Sequence, residues 1–127
     1  MLKNIHHIAV ICSNYSTSKN FYVNILGLTV IREVYREERK SYKLDLALNG
    51  NFIIELFSFP ETPERLTFPE AVGLRHLAFE VVDIENTIIK FKKQAITAQT
   101  IQIDEFTNKK YTFIFDPDNL PIELYEQ

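Results

Sequence analysis

The chain has 127 residues, of which 46% are hydrophobic and 24% are charged, values typical of one globular domain with its own core. Its net charge of -3 argues against a general nucleic-acid-binding protein, which would be basic. No apolar stretch approaches the roughly 20 residues that a membrane-spanning helix needs, and residues 1–7 lack the apolar region of a signal peptide. The single cysteine, Cys12, cannot form an internal disulfide, so we expect a reducing, cytoplasmic location.

The first half of the chain predicts a strand, a helix and three further strands. Ser16 or Thr17 is a candidate cap for the helix, and Gly27 ends it. Asn49-Gly50 predicts a tight hairpin between the last two strands. The four strands are predicted over residues 5–11, 28–34, 42–48 and 52–57.

The second half repeats this order, with a helix that Asp83 caps. Its strands are predicted over residues 76–82, 100–103, 111–115 and 121–125. A segment with three prolines, 60–73, links the halves, and one half alone has too little core to fold independently. We therefore expect an α+β fold, in which two tandem βαβββ modules, 1–59 and 74–127, share one curved mixed sheet within a single domain.

Two kinds of polar residue recur at matching points of these modules. His7 and His76 each open an apolar run, and Glu55 and Glu123 each lie within one. The two histidines are 69 residues apart and the two glutamates 68. Imidazole nitrogens and carboxylate oxygens are ligands that divalent metal ions accept. The recurrence therefore favours a site, although a lone strand histidine or glutamate is usually structural.

The glutamates are the more informative pair. Both faces of the strand around Glu55 are apolar, which predicts a buried strand. A buried carboxylate is costly unless it is paired or binds a metal, and neither glutamate strand contains a nearby Lys or Arg. The neighbouring His6 competes with His7, but adjacent strand residues point to opposite faces. The internal match of His7 with His76 selects His7 and predicts a structural or peripheral place for His6.

Several short segments, taken in order and at their spacing, carry a family resemblance. They are His7-Ile8-Ala9-Val10, Phe21-Tyr22, Leu26-Gly27-Leu28, Ile54-Glu55-Leu56, Arg75-His76-Leu77-Ala78-Phe79, Asp116-Pro117-Asp118 and Ile122-Glu123-Leu124. Together they resemble the glyoxalase I and vicinal-oxygen-chelate superfamily, also called the glyoxalase/bleomycin-resistance/dioxygenase fold. The resemblance covers essentially the whole chain and implies the vicinal-oxygen-chelate fold.

The resemblance also implies a ligand set. Glyoxalase I places His, Glu, His and Glu at the positions of His7, Glu55, His76 and Glu123. The methylmalonyl-CoA epimerase branch usually has glutamine where Glu55 stands, and fosfomycin-modifying transferases and extradiol dioxygenases typically use two His and one Glu. Bleomycin-binding members lack the ligands. The complete set is therefore similar to the glyoxalase I branch.

By this resemblance the protein is a lyase or isomerase that uses one divalent ion, either Zn, Ni, Co, Mn or Fe. The ion would stabilise an ene-diolate while a 2-oxoaldehyde–thiol adduct becomes a hydroxyacyl thioester, as in lactoylglutathione lyase. Glu123 would move the proton, and Glu55 could share that work. The alternatives are an epimerase or dioxygenase on the same scaffold, or a non-enzymatic small-molecule-binding protein. The resemblance favours a homodimer, in which the site could form within one chain or across two.

One position departs from the glyoxalase I pattern. Those proteins often carry an arginine four residues after the first His ligand, where it holds the glutathione carboxylate, and here that position is Ile11. The organic substrate is therefore left open. A basic stretch that includes Arg32, Arg36 and Lys43 is either a solvated surface of mixed charge or a rim that holds an anionic substrate tail.

Overall fold

Two structural units, Met1–Glu64 and Arg65–Gln127, make up the computed structural model, which describes all residues 1–127. We call them unit 1 and unit 2. Unit 1 contains β1 (Ile8–Cys12), α1 (Tyr15–Asn20), β2 (Thr29–Arg36), β3 (Ser41–Leu48) and β4 (Asn51–Ser58). A π-helical turn (Phe21–Ile25) continues α1, and a 3-10 turn (Glu37–Arg39) joins β2 to β3.

Unit 2 repeats the βαβββ order. It contains β5 (Leu77–Val81), α2 (Ile84–Lys93), β6 (Gln102–Ile103), β7 (Lys110–Phe115) and β8 (Pro121–Glu126). The prediction of two βαβββ modules in an α+β fold is therefore confirmed. Neither helix has the length and apolar character that crossing a bilayer requires.

Each unit builds its own four-stranded mixed sheet. The strand orders are β1-β4-β3-β2 and β5-β8-β7-β6, with the first two strands of each order parallel and the others antiparallel. The strands thus pair within two sheets, rather than in the one sheet that the sequence led us to expect. In both sheets the first strand of the unit lies beside its last strand, which brings residues far apart in sequence into register.

Local sequence explains where the elements begin and end. Asn14, rather than Ser16 or Thr17, caps α1, because its side chain accepts a hydrogen bond from the Thr17 amide at 3.0 Å. Asp83 caps α2 as predicted, by accepting from the Asn86 amide at 2.9 Å. Asn49 and Gly50 have φ angles of 51° and 80°, the left-handed pair that a two-residue hairpin requires.

The core of each unit lies on one face of its sheet. In unit 1, Ile54 and Leu56 are buried with the helix residues Phe21 and Tyr22, and α1 contacts β4. In unit 2 the buried hydrophobic residues are Leu77, Ile84, Phe91, Ile114, Leu120, Ile122 and Leu124. Strand side chains alternate between faces. Since its neighbours Ile54 and Leu56 are buried, Glu55 lies on the opposite face of its sheet. The same holds for Glu123, between the buried Ile122 and Leu124.

Candidate metal site

Unit 1 brings His7 and Glu55 together. His7 lies immediately before β1, and Glu55 lies in β4, where its register partner on β1 is Ala9. His7 Nε2 is 3.7 Å from Glu55 Oε2, and the two side chains are 34% and 15% exposed. Parallel pairing of β1 with β4 therefore brings a histidine and a glutamate that are nearly 50 residues apart in sequence into contact.

Unit 2 makes the equivalent contact from His76 and Glu123. Glu123 lies in β8 with Ala78 of β5 as its register partner, so each histidine stands two residues before the alanine that pairs with its glutamate. His76 Nε2 is 3.0 Å from Glu123 Oε2, with exposures of 32% and 15%. The internal repeat noted in the sequence is thus a repeat of register as well as of residue type.

The glutamate-bearing faces are half-open rather than closed. Along β4, Ile54 and Leu56 are buried, whereas Ile53, Glu55 and Phe57 on the other face retain partial exposure. The expectation that this strand is buried on both faces is therefore right for the face of Ile54 and Leu56 and wrong for the face of Glu55. The apolar residues beside Glu55 line an accessible surface, and a ligand reaching this face would meet both an apolar strand and a carboxylate.

The unit 1 glutamate also has a cationic neighbour that the sequence argument overlooked. Lys43 Nζ on β3 lies 3.3 Å from Glu55 Oε2 and 3.1 Å from Asp45 Oδ1. Arg32 Nη2 binds the other side of Asp45 at 2.8 Å. Burial raises the pKa of the Asp45 carboxyl, but hydrogen bonds from Arg32 and Lys43 outweigh burial and leave that pKa below its ordinary value. Asp45 therefore carries a full negative charge, and its carboxylate and that of Glu55 share the Lys43 ammonium group.

The unit 2 glutamate has different surroundings. The register partner of Glu123 on β7 is Phe113, where unit 1 has Asp45 opposite Glu55. The His76 and Phe113 rings pack in a T-shaped arrangement, with centroids 5.3 Å apart. The two glutamates are therefore alike in their histidine and alanine partners and unlike in the residue that faces them on the antiparallel strand.

His6 lies closer to the site than the strand-alternation argument predicts. Its Nδ1 is 2.8 Å from Nδ1 of His7, and both rings pack against Phe52 at centroid distances of 5.3 and 5.1 Å. Strand alternation does not apply here, because β1 begins only at Ile8. A hydrogen bond between the two Nδ1 atoms leaves His7 Nε2 directed at Glu55, the orientation that a second ring partner commonly gives a metal-binding histidine.

A separate acidic cluster lies at the start of α2 and was not singled out from the sequence. Asp83, Glu85 and Glu126 place carboxylate oxygens within 4.8 Å of one another. Each of these carboxylates already has a partner within the protein. Asp83 caps the helix, and Glu126 Oε2 accepts from the Ile84 amide at 2.9 Å. Glu85 forms an ion pair with Lys110 at 2.7 Å. The cluster is therefore explained by helix capping and one ion pair.

Comparison with known proteins places the chain in a family. The model of the Glyoxalase/Bleomycin resistance protein/Dioxygenase superfamily matches residues 4–124. The uncharacterized protein YwkD of Bacillus subtilis is 59% identical over 100% of this chain and 99% of its own, and the uncharacterized protein YaeR of Escherichia coli is 56% identical over 99% and 98%.

A solved structure agrees with these matches. The crystal structure of a glyoxalase family protein from Enterococcus faecalis is 49% identical, with a TM-score of 0.90 over 98% of both chains. The shared βαβββ architecture therefore extends over the whole length of a protein nearly half identical in sequence. On its fold and on these matches, the chain belongs to the Glyoxalase/Bleomycin resistance protein/Dioxygenase superfamily.

Proposed function

We propose that this protein is a metal-dependent lyase or isomerase of glyoxalase I type, which converts a 2-oxoaldehyde–thiol adduct into a hydroxyacyl thioester. The observation that carries the proposal is the His–Glu contact made twice, at equivalent register positions of two repeated modules. His7, Glu55, His76 and Glu123 would together hold one divalent ion. Two neutral imidazoles and two carboxylates balance a charge of +2, and nitrogen and oxygen donors suit Zn, Ni, Co, Mn or Fe.

The donor atoms fit this assignment. Two ligand atoms about 2.1 Å from one ion and about 90–110° apart are roughly 3.0–3.4 Å from each other. The Nε2–Oε2 distances of 3.0 Å in unit 2 and 3.7 Å in unit 1 lie at and just beyond this span. Each pair can therefore supply two ligands with only small side-chain adjustment.

The chemistry divides between the ion and the protein. A bound divalent ion would act as a Lewis acid toward two neighbouring substrate oxygens. The protein would supply the proton acceptor, and the surroundings favour Glu123 for that role. Lys43 occupies Glu55 Oε2 at 3.3 Å, whereas within unit 2 the group at ion-pairing distance from Glu123 is His76. Glu123 thus has fewer charged partners than Glu55, which favours it as the group that takes a proton from one carbon and returns it to the next.

Turnover of the methylglyoxal–glutathione adduct tests the proposal. We expect the protein loaded with Ni, Co, Zn or Mn to form the thioester, followed by its ultraviolet absorbance. Glu123→Gln should keep the fold and lower turnover by about 10²- to 10⁴-fold. Glu80→Gln is the matched control, because Glu80 is an exposed strand glutamate of the same unit. Full activity in Glu123→Gln would refute Glu123 as the base, and no activity with any ion would refute the assigned reaction.

We also propose a homodimer, and the site could then combine the two pairs within one chain or across two. Mixing His7→Ala and His76→Ala proteins separates these arrangements. A site shared across two chains would regain activity on mixing, up to about one quarter of the wild type, because half the dimers are mixed and one of their two sites is intact. A site within one chain would regain nothing.

A further inference from the structure

Arg65, at the start of unit 2, ties together the two ends of a segment that lies outside the strands. Its Nη2 donates to the backbone oxygens of Leu74 and Arg75 at 2.8 and 2.9 Å. Its Nε donates to Thr67 Oγ1 at 3.1 Å. Three hydrogen bonds from one guanidinium group therefore close the segment 66–74 at its base.

Thr67 extends this contact to the other strand of the His76–Glu123 pair. Its side chain is buried, and its hydroxyl accepts from Arg65 and donates to the backbone oxygen of Asn119 at 2.7 Å. Asn119 lies in the turn before β8, the strand that carries Glu123. We call Arg65, Thr67 and these four hydrogen bonds the Arg65 clamp. The clamp therefore links the residues just before His76 to the turn just before the strand of Glu123.

The backbone before His76 lies outside the strand ladder. β5 begins at Leu77, whose register partner on β8 is Ile122, so His76 stands opposite Pro121. Proline has no N–H and cannot donate to a neighbouring strand. The guanidinium of Arg65 instead donates to the two carbonyl oxygens that precede His76, and hydrogen bonds from a charged donor are stronger than neutral ones.

Unit 1 supports its histidine in another way. Residues 1–6 are exposed, and the contact that orients His7 is the one from the His6 ring. The Nε2–Oε2 distance between histidine and glutamate is 3.7 Å in unit 1 and 3.0 Å in unit 2. The closer of the two His–Glu contacts is therefore the one beside the clamp.

We propose that Arg65 is a positioning residue, which fixes the backbone before His76 and thereby holds the His76 ring against Glu123. This role rests on the proposed function, in which His76 is a metal ligand. Its effect passes through the backbone, because the hydrogen bonds of Arg65 end on two carbonyl oxygens and a hydroxyl group. Groups that orient a ligand typically change metal affinity by about 10- to 100-fold when they are removed.

Nuclear magnetic resonance of the metal-free protein tests this role without an ion. The chain has three histidines, and the T-shaped contact with the Phe113 ring makes the ring shifts of His76 sensitive to its position. Arg65→Met should move the His76 ring signals toward those of free histidine and leave the signals of His6 and His7 in place. Unmoved His76 signals would overturn the proposal. An equal displacement of all three histidines would also overturn it, because it indicates a general loss of structure.

Substitutions of Thr67 test the same clamp at its second member. Thr67→Val removes the hydroxyl at nearly the same volume and should move the His76 signals in the same direction, whereas Thr67→Ser keeps the hydroxyl and should retain the wild-type signals. Lys92→Met is the matched control for Arg65→Met, because Lys92 is an exposed cation on α2 of the same unit. If Arg65→Met does not fold, the Thr67 pair decides, and indistinguishable His76 signals in the two Thr67 variants would contradict the proposal.

Zinc affinity separates the clamp from the proposed function. In calorimetric titration, Arg65→Met should bind zinc about 10- to 100-fold more weakly than the wild type, and Lys92→Met should bind it equally well. If the wild type neither binds zinc nor turns over the hemithioacetal, the proposed function fails, and the His76 signals alone decide on the clamp. If the wild type binds zinc and is active, an unchanged zinc affinity in Arg65→Met refutes the clamp alone.

Discussion

Asp45 offers the sharpest test of how the charges beside the site are arranged. Its side chain is fully buried in unit 1 and accepts from Arg32 Nε at 3.1 Å, Arg32 Nη2 at 2.8 Å and Lys43 Nζ at 3.1 Å. Asp45→Asn has the same shape but removes the charge that both cations share. Lys43 would then pair with Glu55 alone.

The expected cost follows from these contacts. A hydrogen bond to a charged group contributes about 1.5–3 kcal/mol, and a lost buried partner costs about 3–5 kcal/mol. Arg32 is 62% exposed, so water can replace its lost bonds and the cost falls toward the lower end. We expect Asp45→Asn to lower the free energy of unfolding by about 2–4 kcal/mol at pH 7.

The pH dependence gives a second readout. Because hydrogen bonds from Arg32 and Lys43 hold the pKa of Asp45 below its ordinary value against the effect of burial, its stabilising contribution is complete above the ordinary aspartate pKa of about 4. That contribution is lost as the pH falls through the lower, folded-state pKa. The stability difference between wild type and Asp45→Asn should therefore narrow as the pH falls from about 4 toward 2.

Urea denaturation of the metal-free proteins measures both effects. Glu38→Gln is the control, because Glu38 is an exposed carboxylate in the turn after β2 and should change stability by less than about 0.5 kcal/mol. The reasoning fails if Asp45→Asn matches this control at pH 7. It also fails if the difference stays constant through the acid range.

Three further changes test other parts of the account. Asp83→Ala removes the α2 cap and should lower the unfolding free energy by about 1 kcal/mol in urea denaturation; an unchanged midpoint would contradict the assigned cap. His6→Ala removes the Nδ1 partner of His7 and should weaken metal affinity about 10-fold in calorimetric titration, with metal-free stability as its control; unchanged affinity would exclude the orienting role. Ile122→Val in the unit 2 core should cost about 0.5–1.5 kcal/mol in thermal unfolding, and a neutral result would indicate looser packing than described.

The sequence singled out His7, Glu55, His76 and Glu123 because both residue types recur at matching points of a repeated module, but it did not predict which histidine contacts which glutamate. A polar residue inside an apolar strand has a face fixed by the period of two, and the repeat of modules gives each glutamate an equivalent histidine. The neighbourhood of Glu55 was not predictable in the same way. Counting from the Asn49-Gly50 turn would place Leu44 opposite Glu55, but a bulge between Leu46 and Ala47 puts Asp45 there.

The remaining differences also have physical reasons. The sequence prediction placed His6 and His7 on opposite faces of a strand. The strand begins only at Ile8, so alternation of side chains does not govern these two residues, and their rings are in contact. Ser16 and Thr17 are cap-forming residue types like Asn14, but the helix begins at Tyr15. Asn14 is therefore the residue whose side chain accepts from the Thr17 amide three positions later. Bulges, strand ends and caps depend on one-residue shifts, which hydrophobic periodicity does not resolve.

The most direct test of the central claim is metal binding by the purified protein. Elemental analysis after dialysis against Zn or Ni should find one divalent ion per chain in the wild type. The account predicts a large loss of bound ion in His7→Ala and an equal loss in His76→Ala, because the proposed site takes one histidine from each unit. Binding that survives unchanged in either variant, or a wild type that retains no ion, would contradict the four-residue site.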